Sequence, residues 1–403
     1  MKKDRELLRI VKGICSQAAA YLRAHPYCTL LVLWLLTRLT YLAAGLWARA
    51  RWLENDTPYY TWSYGSPYRA LNLWTVWDSG FYYATASHGF EYLPSAERHI
   101  ELGHHLQHAA LPLYPMLSRI GSVLAGDIVF AGVIISNLSL LLGVMLLYKL
   151  LTRDADAQLA IGCCILFLLS PFNFMLSAFL AEGLFFGLLI WALYLIRSST
   201  LLASILPFAA LLITKTISPM LMLSALPRFF KESISPFRAV ARFLIFAAVA
   251  AMPLLIHCLF LKRLTGDPFI FLSLQATWGR EFSLGAIYAA FVRAADEGPQ
   301  RILEIAVFFT SVALFIYSLF AWKRRTGVSM PVEYIVVSVV LLIMPIFSGS
   351  FESYPRYSAP VFTLFVGLAA IRNPMRLAAA ATISFLLSIA AMAVWSLGTR
   401  FLI

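Results

Sequence analysis

The residues best suited to chemistry are a few charged groups set among aromatic and aliphatic ones. In Val76-Trp77-Asp78-Ser79-Gly80-Phe81-Tyr82-Tyr83 a single carboxylate stands between rings. Such an acid either caps a helix starting near Gly80 or takes a proton from a substrate hydroxyl. Composition alone favours the cap. Glu182 is the lone acid of an apolar run over 176–196. It can orient a substrate hydroxyl, or pair with Lys215 or Arg356 in a buried ion pair. Arg356 lies beside Tyr354 and Tyr357, Arg280 near Trp278, and Lys215 at a break between two short apolar runs. All three can donate to phosphate oxygens, the arginines through a two-pronged fork. The competing reading is that their stems lie along apolar surface and their heads reach an interface. Asp267 and Glu352, in turns rich in Gly, Pro or Ser, are weaker candidates.

A histidine-rich run, Arg98-His99-Ile100-Glu101-Leu102-Gly103-His104-His105-Leu106-Gln107-His108, invites a metal. His104 and His108 would share a helix face, as would Glu101 and His105. The acid of an H-E-x-x-H site is missing, because Leu106-Gln107 stands where it is needed. Interfacial histidines are the simpler reading, and no resident metal or other cofactor is expected.

The elements that must hold these groups follow from composition. Of the 403 residues, 61% are hydrophobic and 13% charged, against roughly 45–50% and about 25% in a soluble domain. Mean hydropathy is +0.78. Apolar runs of bilayer length mark a polytopic all-α membrane protein. They fall at approximately 28–47, 122–148, 158–173, 176–196, 200–213, 216–227, 240–261, 302–322, 332–348, 357–371 and 377–397. The 200–213 and 216–227 pair reads as a hairpin that crosses only partly. No internal repeat or low-complexity stretch is present, so a single domain over 1–403 is expected.

The net charge of +12 would suggest nucleic acid in a soluble protein. Here it reads as the Lys/Arg excess of cytoplasmic loops. With the N-terminus inside, inside segments hold 18 of the 32 Lys and Arg and outside segments 13. The short loops around Lys323-Arg324-Arg325 and Arg372–Arg376 support that orientation. Residues 1–27 are then cytoplasmic, and two long loops, 48–121 and 262–301, lie outside. The first is rich in Trp, Tyr, Pro and His, which suits amphipathic helices at the interface. The charged start, Met1 to Lys12, is not followed by a short apolar core with a cleavage site, so the first run reads as a retained helix. None of the five cysteines sits in a long loop, and Cys163-Cys164 is not a C-x-x-C pair, so no disulfide framework is implied.

Further pieces follow in order: Ala86-Ser87-His88-Gly89-Phe90, Leu111-Pro112-Leu113-Tyr114-Pro115, Ser170-Pro171 with Ala181-Glu182-Gly183-Leu184-Phe185, Thr277-Trp278-Gly279-Arg280, and Pro355-Arg356-Tyr357-Ser358-Ala359-Pro360-Val361-Phe362. Together with Trp77-Asp78 this series resembles the PIG-V-type mannosyltransferases of GPI-anchor assembly and their bacterial relatives, over about residues 76–365. That family carries W-D, H-G-Y, F-P-L-Y-P, S-P…S-E-x-L-F, W-G-R and R-Y-x-x-P-x-F-P-L-F. This chain differs at Gly89-Phe90, Leu111-Pro112, Ala181-Glu182, Thr214-Lys215-Thr216 and Phe362-Thr363. The differences bear on the sugar and acceptor more than on the reaction type.

The resemblance implies a GT-C glycosyltransferase fold, about eleven spans in this chain, and transfer from a polyprenyl-phosphate sugar on the external or lumenal face. By the same resemblance the sugar is mannose and Asp78 matches the catalytic base of the first external loop. Arg356, Lys215, Arg280, Glu182, Trp77, His88, Tyr114 and Tyr357 are the candidates for holding lipid phosphate or sugar. The acceptor is expected to be a glycolipid, glycan or protein. The membrane is the cytoplasmic one if the source is bacterial and the endoplasmic reticulum if eukaryotic. A lipid or sugar transporter or flippase, and an accessory subunit that has lost activity, are the alternatives. A repeat between halves, which transporters often show, is not evident.

Overall fold

The computed structural model describes residues 24–52, 69–90, 106–198, 201–278, 280, 283–296 and 298–398. These are helical almost throughout, with no β-strand among them. The charged segment Met1 to Lys12 and the Arg98 to His105 part of the histidine run lie outside the described residues. Among the described residues five helices are long and apolar enough to cross a membrane: Pro26–Trp52, Ile128–Leu151, Pro236–Thr265, Arg301–Thr326 and Pro374–Ser396. The chain is an all-α, multi-pass membrane protein. The other apolar runs form shorter helices, among them Ala157–Leu168, Glu182–Arg197, Ile205–Leu212 and Val332–Ile343.

One expected run is divided. The stretch read as 122–148 is split at Gly126-Asp127. Helix Leu113–Ala125 ends on Gly126 in the left-handed conformation, and Asp127 caps Ile128–Leu151 by accepting the Phe130 N–H at 2.7 Å. A C-terminal glycine followed by an N-cap aspartate ends one helix and begins another, whatever the hydropathy. Leu113–Ala125 buries Tyr114 and Ser118 and exposes Ile120, Val123 and Leu124. Within 48–121 the described parts also include the 3-10 turn Arg69–Trp74 and helix Ser79–His88. Within 262–301 helix Leu284–Asp296 buries Ala286 and Ala290 and exposes Tyr288 and Val292.

Close backbone packing lies immediately after Glu182 in the chain. Helix Glu182–Arg197 presses on Ile128–Leu151 through Gly183 and Gly187, one turn apart. A Cβ on Gly183 would stand 2.3 Å from Leu176 O and 2.5 Å from Ser136 O. One on Gly187 would stand 2.7 Å from Ser139 O. Small residues at this spacing let two backbones approach inside a membrane. At the far end of the same helix Arg197 pairs with Asp154 and, at 3.4 Å, with Glu333. Tyr334 donates to Asp154 at 2.7 Å.

The segment leading into Glu182 is pinned by a buried cation. Arg38, within Pro26–Trp52, donates to Asn173 Oδ1 at 2.5 Å and to Ser177 Oγ. Its guanidinium also lies 4.9 Å from the centre of the Tyr41 ring. Asn137 joins from the next helix, donating to Ser177 O at 3.2 Å. Charged side chains at such depth face the protein interior and polar partners.

Candidate functional site

Five elements converge at the Glu182 end of that packed pair. Asp78 sits in the turn before Ser79–His88, held by Ser79 N–H to Val76 O at 3.4 Å and Gly80 N–H to Trp77 O at 3.1 Å. Glu182 is the first residue of its helix. Lys215 lies in the break after Ile205–Leu212, where Leu113 N–H donates to Ile213 O at 3.0 Å. Arg356 and Tyr357 lie on the short helix Tyr354–Ser358. Arg280 follows the turn Leu274–Trp278, its N–H donating to Gln275 O at 3.1 Å.

The side chains form one connected network. Arg356 Nη1 donates to Asp78 Oδ2 at 2.5 Å, and Arg356 Nε lies 3.1 Å from Glu182 Oε1. Lys215 Nζ donates to the same Oε1 at 2.9 Å. Arg280 Nη1 donates to the Tyr357 hydroxyl at 2.6 Å, and its Nη2 to Glu352 O at 3.2 Å. The Tyr357 ring is the hub, with Lys215, Arg280 and Arg356 at 5.2, 5.6 and 5.9 Å from its centre. Three cations thus face two carboxylates. Exposure is graded: the Asp78 side chain is 31% exposed, Arg356 15% and Glu182 1%. The open side is therefore at Asp78 and the floor at Glu182.

Asp78 occupies the N-cap position of Ser79–His88 but makes no capping hydrogen bond, so its carboxylate is free of that duty and turned to Arg356. Burial pushes the Asp78 carboxyl up. The charge and hydrogen bond of Arg356, with Arg280 and Lys215 behind it, more than offset this and hold it below the ordinary carboxylate range. Burial lowers Arg356 in turn, and Asp78 and Glu182 more than reverse that.

Several buried polar atoms of this network have no hydrogen-bond partner among the described residues: Arg280 Nε, Arg356 Nε and Glu182 Oε2. Arg356 Nε is close to Glu182 without hydrogen-bond geometry. Buried polar groups are nearly always satisfied, and this cluster gathers three such atoms in one place. The donors suit acceptor-only oxygens such as those of phosphate. The carboxylate oxygen suits a hydroxyl.

Backbone strain marks the same place. Among the described residues two non-glycine residues have positive φ, Trp77 (60°) and Ser353 (63°). One immediately precedes Asp78 and the other lies three residues before Arg356. Such conformations cost about 1–3 kcal/mol each and gather at functional sites.

The other sequence candidates are placed differently. Tyr114 is buried behind the cluster, edge-on to Tyr82 at 5.4 Å, its hydroxyl accepting from Ser136 at 3.1 Å. Trp77 is half-buried against the core that includes Trp74, Phe174 and Trp395. His88 is exposed in the last turn of Ser79–His88, about 15 Å of helix from Asp78. Phe90, after Gly89 (φ 78°), packs with Leu111, Cys258, Leu261 and Phe271, and its carbonyl accepts from His108. The Ser87–Phe90 motif is thus an anchor in this chain. Asp267 closes a turn by accepting from Phe269 N–H and Ser273. Among the described residues no group of three or more His, Cys, Asp and Glu is placed to hold a metal.

Sequence reasoning passed over Arg301 and Glu304, which stand behind Arg356. Arg301 pairs with Glu304 at 2.8 Å and lies 3.8 Å from Glu352. Glu304, 2% exposed, accepts the Ser353 N–H at 3.1 Å. The available signal was an Arg and a Glu three apart at the start of a span.

No protein-family model matches the chain, and no curated protein matches it. The structure is similar to solved structures of an oligosaccharyltransferase from Archaeoglobus fulgidus. One, determined with zinc and sulfate, has 14% identity and a TM-score of 0.39, over 71% of this chain and 44% of that one. A second, tethered by a disulfide to an acceptor peptide containing the NVT sequon, has 13% identity and a TM-score of 0.43, over 93% and 56%. A third, named AglB, in complex with an inhibitory peptide and a dolichol-phosphate, has 13% identity and a TM-score of 0.40, over 91% and 56%. The chain therefore spans about half the length of the structures it matches.

Proposed function

We propose that this chain is an integral-membrane glycosyltransferase of the GT-C type. It moves a sugar from a polyprenyl-phosphate donor to a glycolipid, glycan or protein acceptor, with inversion at the anomeric carbon. The observation that carries the reading is one buried cluster of three cations and two acids, in which Arg280 Nε and Glu182 Oε2 have no partner among the described residues. A phosphosugar presents the matching groups, anionic oxygens and hydroxyls. Mannose is the sugar by the motif resemblance, and the transfer takes place on the external or lumenal face.

In this reading Arg356, Arg280 and Lys215 bind the donor phosphate, and Glu182 accepts a sugar hydroxyl from below. Asp78, on the exposed side, takes the proton of the acceptor hydroxyl. The acceptor oxygen forms a bond to the anomeric carbon. The bond from that carbon to the phosphate oxygen breaks, and polyprenyl phosphate departs with the electron pair, its growing charge met by the cations. Tyr357 keeps the three cations gathered.

The test is release of polyprenyl phosphate from a donor labelled in the sugar, using full-length protein in lipid. Transfer to acceptor by the wild type and loss in Asp78→Asn, at equal amounts of folded protein, would support it. Transport of intact donor without cleavage would turn the reading to a flippase.

A further inference from the structure

Among the described residues Glu304 makes no hydrogen bond or ion pair with the proposed ligand-binding side chains, yet it holds the backbone from which one of them springs. Its Oε1 accepts the Ser353 N–H at 3.1 Å, and its other oxygen is gripped by Arg301 at 2.8 Å. Arg301 also lies 3.8 Å from Glu352, so the pair straddles residues 352 and 353. Ser353 is in the left-handed region (φ 63°, ψ 18°), which residues with a Cβ rarely adopt unless the surroundings impose it. From there the chain turns into Tyr354–Ser358, and Ser353 O accepts from both Arg356 N–H (3.0 Å) and Tyr357 N–H (3.3 Å). A serine in this conformation needs a restraint. A buried carboxyl oxygen that accepts its N–H, with the other oxygen held by Arg301, supplies one.

We infer that Glu304, seated by Arg301, is a positioning residue: it fixes Ser353 in the left-handed conformation and so aims Arg356 and Tyr357 into the ligand cluster. The contact is remote from the cluster in sequence and comes from a different helix, Pro299–Thr326. A purely structural ion pair would stabilise the fold without any special link to Ser353. A positioning residue makes its loss reparable at Ser353, because glycine adopts positive φ without strain. The geometric part stands alone, and the effect on ligand binding rests on the function proposed above.

The experiment uses the full chain in detergent or nanodiscs and compares wild type, Glu304→Leu, Glu304→Gln, Ser353→Gly and the Glu304→Leu/Ser353→Gly double variant. Two readouts are taken without sugar or acceptor: hydrogen exchange of residues 350–358, and binding of a ten-carbon prenyl phosphate. Glu304→Leu should speed exchange in 350–358 by about tenfold, since loss of a local restraint lowers the opening free energy there. It should weaken prenyl phosphate binding by about tenfold. Glu304→Gln keeps an acceptor without the charge and should raise exchange only about twofold to threefold. The double variant should return both readouts to within about threefold of wild type.

Exchange in 350–358 that stays at the wild-type rate in Glu304→Leu overturns the inference, as does a double variant as impaired as Glu304→Leu itself. If Glu304→Leu does not fold, Glu304→Gln with and without Ser353→Gly decides in the same way, by the rise in exchange and its reversal. A wild type that fails to bind prenyl phosphate, with the exchange pattern as expected, overturns the proposed function and leaves the positioning role standing.

Discussion

Asp78 and Arg356, 278 residues apart in sequence, meet at 2.5 Å with a strained backbone residue shortly before each of them. The proposed base is thus held by a cation that the proposed donor also needs. A carboxylate kept low by Arg356 is a weak base as it stands. A donor phosphate that draws Arg356 toward itself would return basicity to Asp78 as the donor seats. Transfer should accordingly follow an ordered course, donor first. Initial rates over a grid of both substrates, with product inhibition, would show the pattern, and acceptor bound productively before donor would contradict it.

Replacing Asp78 by Asn keeps its size and removes the base. General-base removal costs about 10²–10⁴-fold in rate, so kcat should fall by at least about 100-fold with donor KM little changed. Asn can still accept from Arg356, and thermal unfolding should shift by no more than a few degrees. Single-turnover transfer beside a melting curve checks both, and near wild-type transfer would remove Asp78 from the mechanism.

The pH dependence follows from the same pair. Burial raises the Asp78 carboxyl, but Arg356, Arg280 and Lys215 together leave it lowered. Its ordinary value is about 3.9. A group whose folded pKa is depressed stabilises the fold above its unfolded pKa, and that contribution is lost as pH falls through the folded one. The acid limb that Asp78 sets in kcat/KM for the donor, which reports the free enzyme, should therefore lie at or below the ordinary carboxylate range. Arg356→Gln leaves the burial effect less opposed and should move that limb to higher pH. A pH–rate profile of the two proteins, read for the limb and not the plateau, makes the comparison; an unmoved limb would mean that Arg356 does not set the Asp78 carboxyl.

Much of this cluster was legible because charge is scarce in the chain. With 13% charged residues, an acid between tryptophan and tyrosine, or a glutamate in an apolar run, is conspicuous. Asp78, Glu182, Lys215, Arg280 and Arg356 were all visible as such, and pairing of Glu182 with Lys215 or Arg356 was among the readings. Their convergence was not legible, because it depends on how helices far apart in sequence pack. Glu304 was passed over because an i, i+3 Arg–Glu pair at the start of a span looks like ordinary boundary charge, and nothing local reveals that Ser353 lies opposite. The split at Gly126-Asp127 escaped for a different reason. Hydropathy does not report capping, and the apolar residues on both sides give a continuous run although the helices are separate. His88 came with its motif, but the structure gives the anchoring role there to Phe90.

The close approach behind Glu182 makes Gly183 a sensitive position. A methyl there would stand 2.3 and 2.5 Å from two backbone carbonyl oxygens, neither of which can swing aside as a side chain could. Gly183→Ala should destabilise by about 1–3 kcal/mol, the usual cost of overpacking, and push Glu182 away from Lys215. Gly285→Ala is the control, since its Cβ would meet only Ser283 Oγ at 3.8 Å. Thermal unfolding of the two variants in the same detergent should separate them clearly, and equal stability would show that the two helices can part without cost.

Glu182→Gln separates the two jobs assigned to that carboxylate. It is 1% exposed and lies within 3.1 Å of both Lys215 Nζ and Arg356 Nε. Removing its charge changes the balance of the cluster from three cations against two acids to three against one. A donor phosphate should then bind at least as well, because less of the positive field is neutralised within the protein. The sugar, in contrast, loses a charged hydroxyl acceptor, and a hydrogen bond to a charged group is worth about 1.5–3 kcal/mol. If that bond strengthens as the transition state forms, kcat should fall by roughly 10–100-fold while donor KM holds or drops. Loss of a buried carboxylate between two cations also lowers stability, so the melting temperature must be followed in parallel. A rise in donor KM with kcat intact, in a protein that remains folded, would place Glu182 with the phosphate-binding framework and deny it a hold on the sugar.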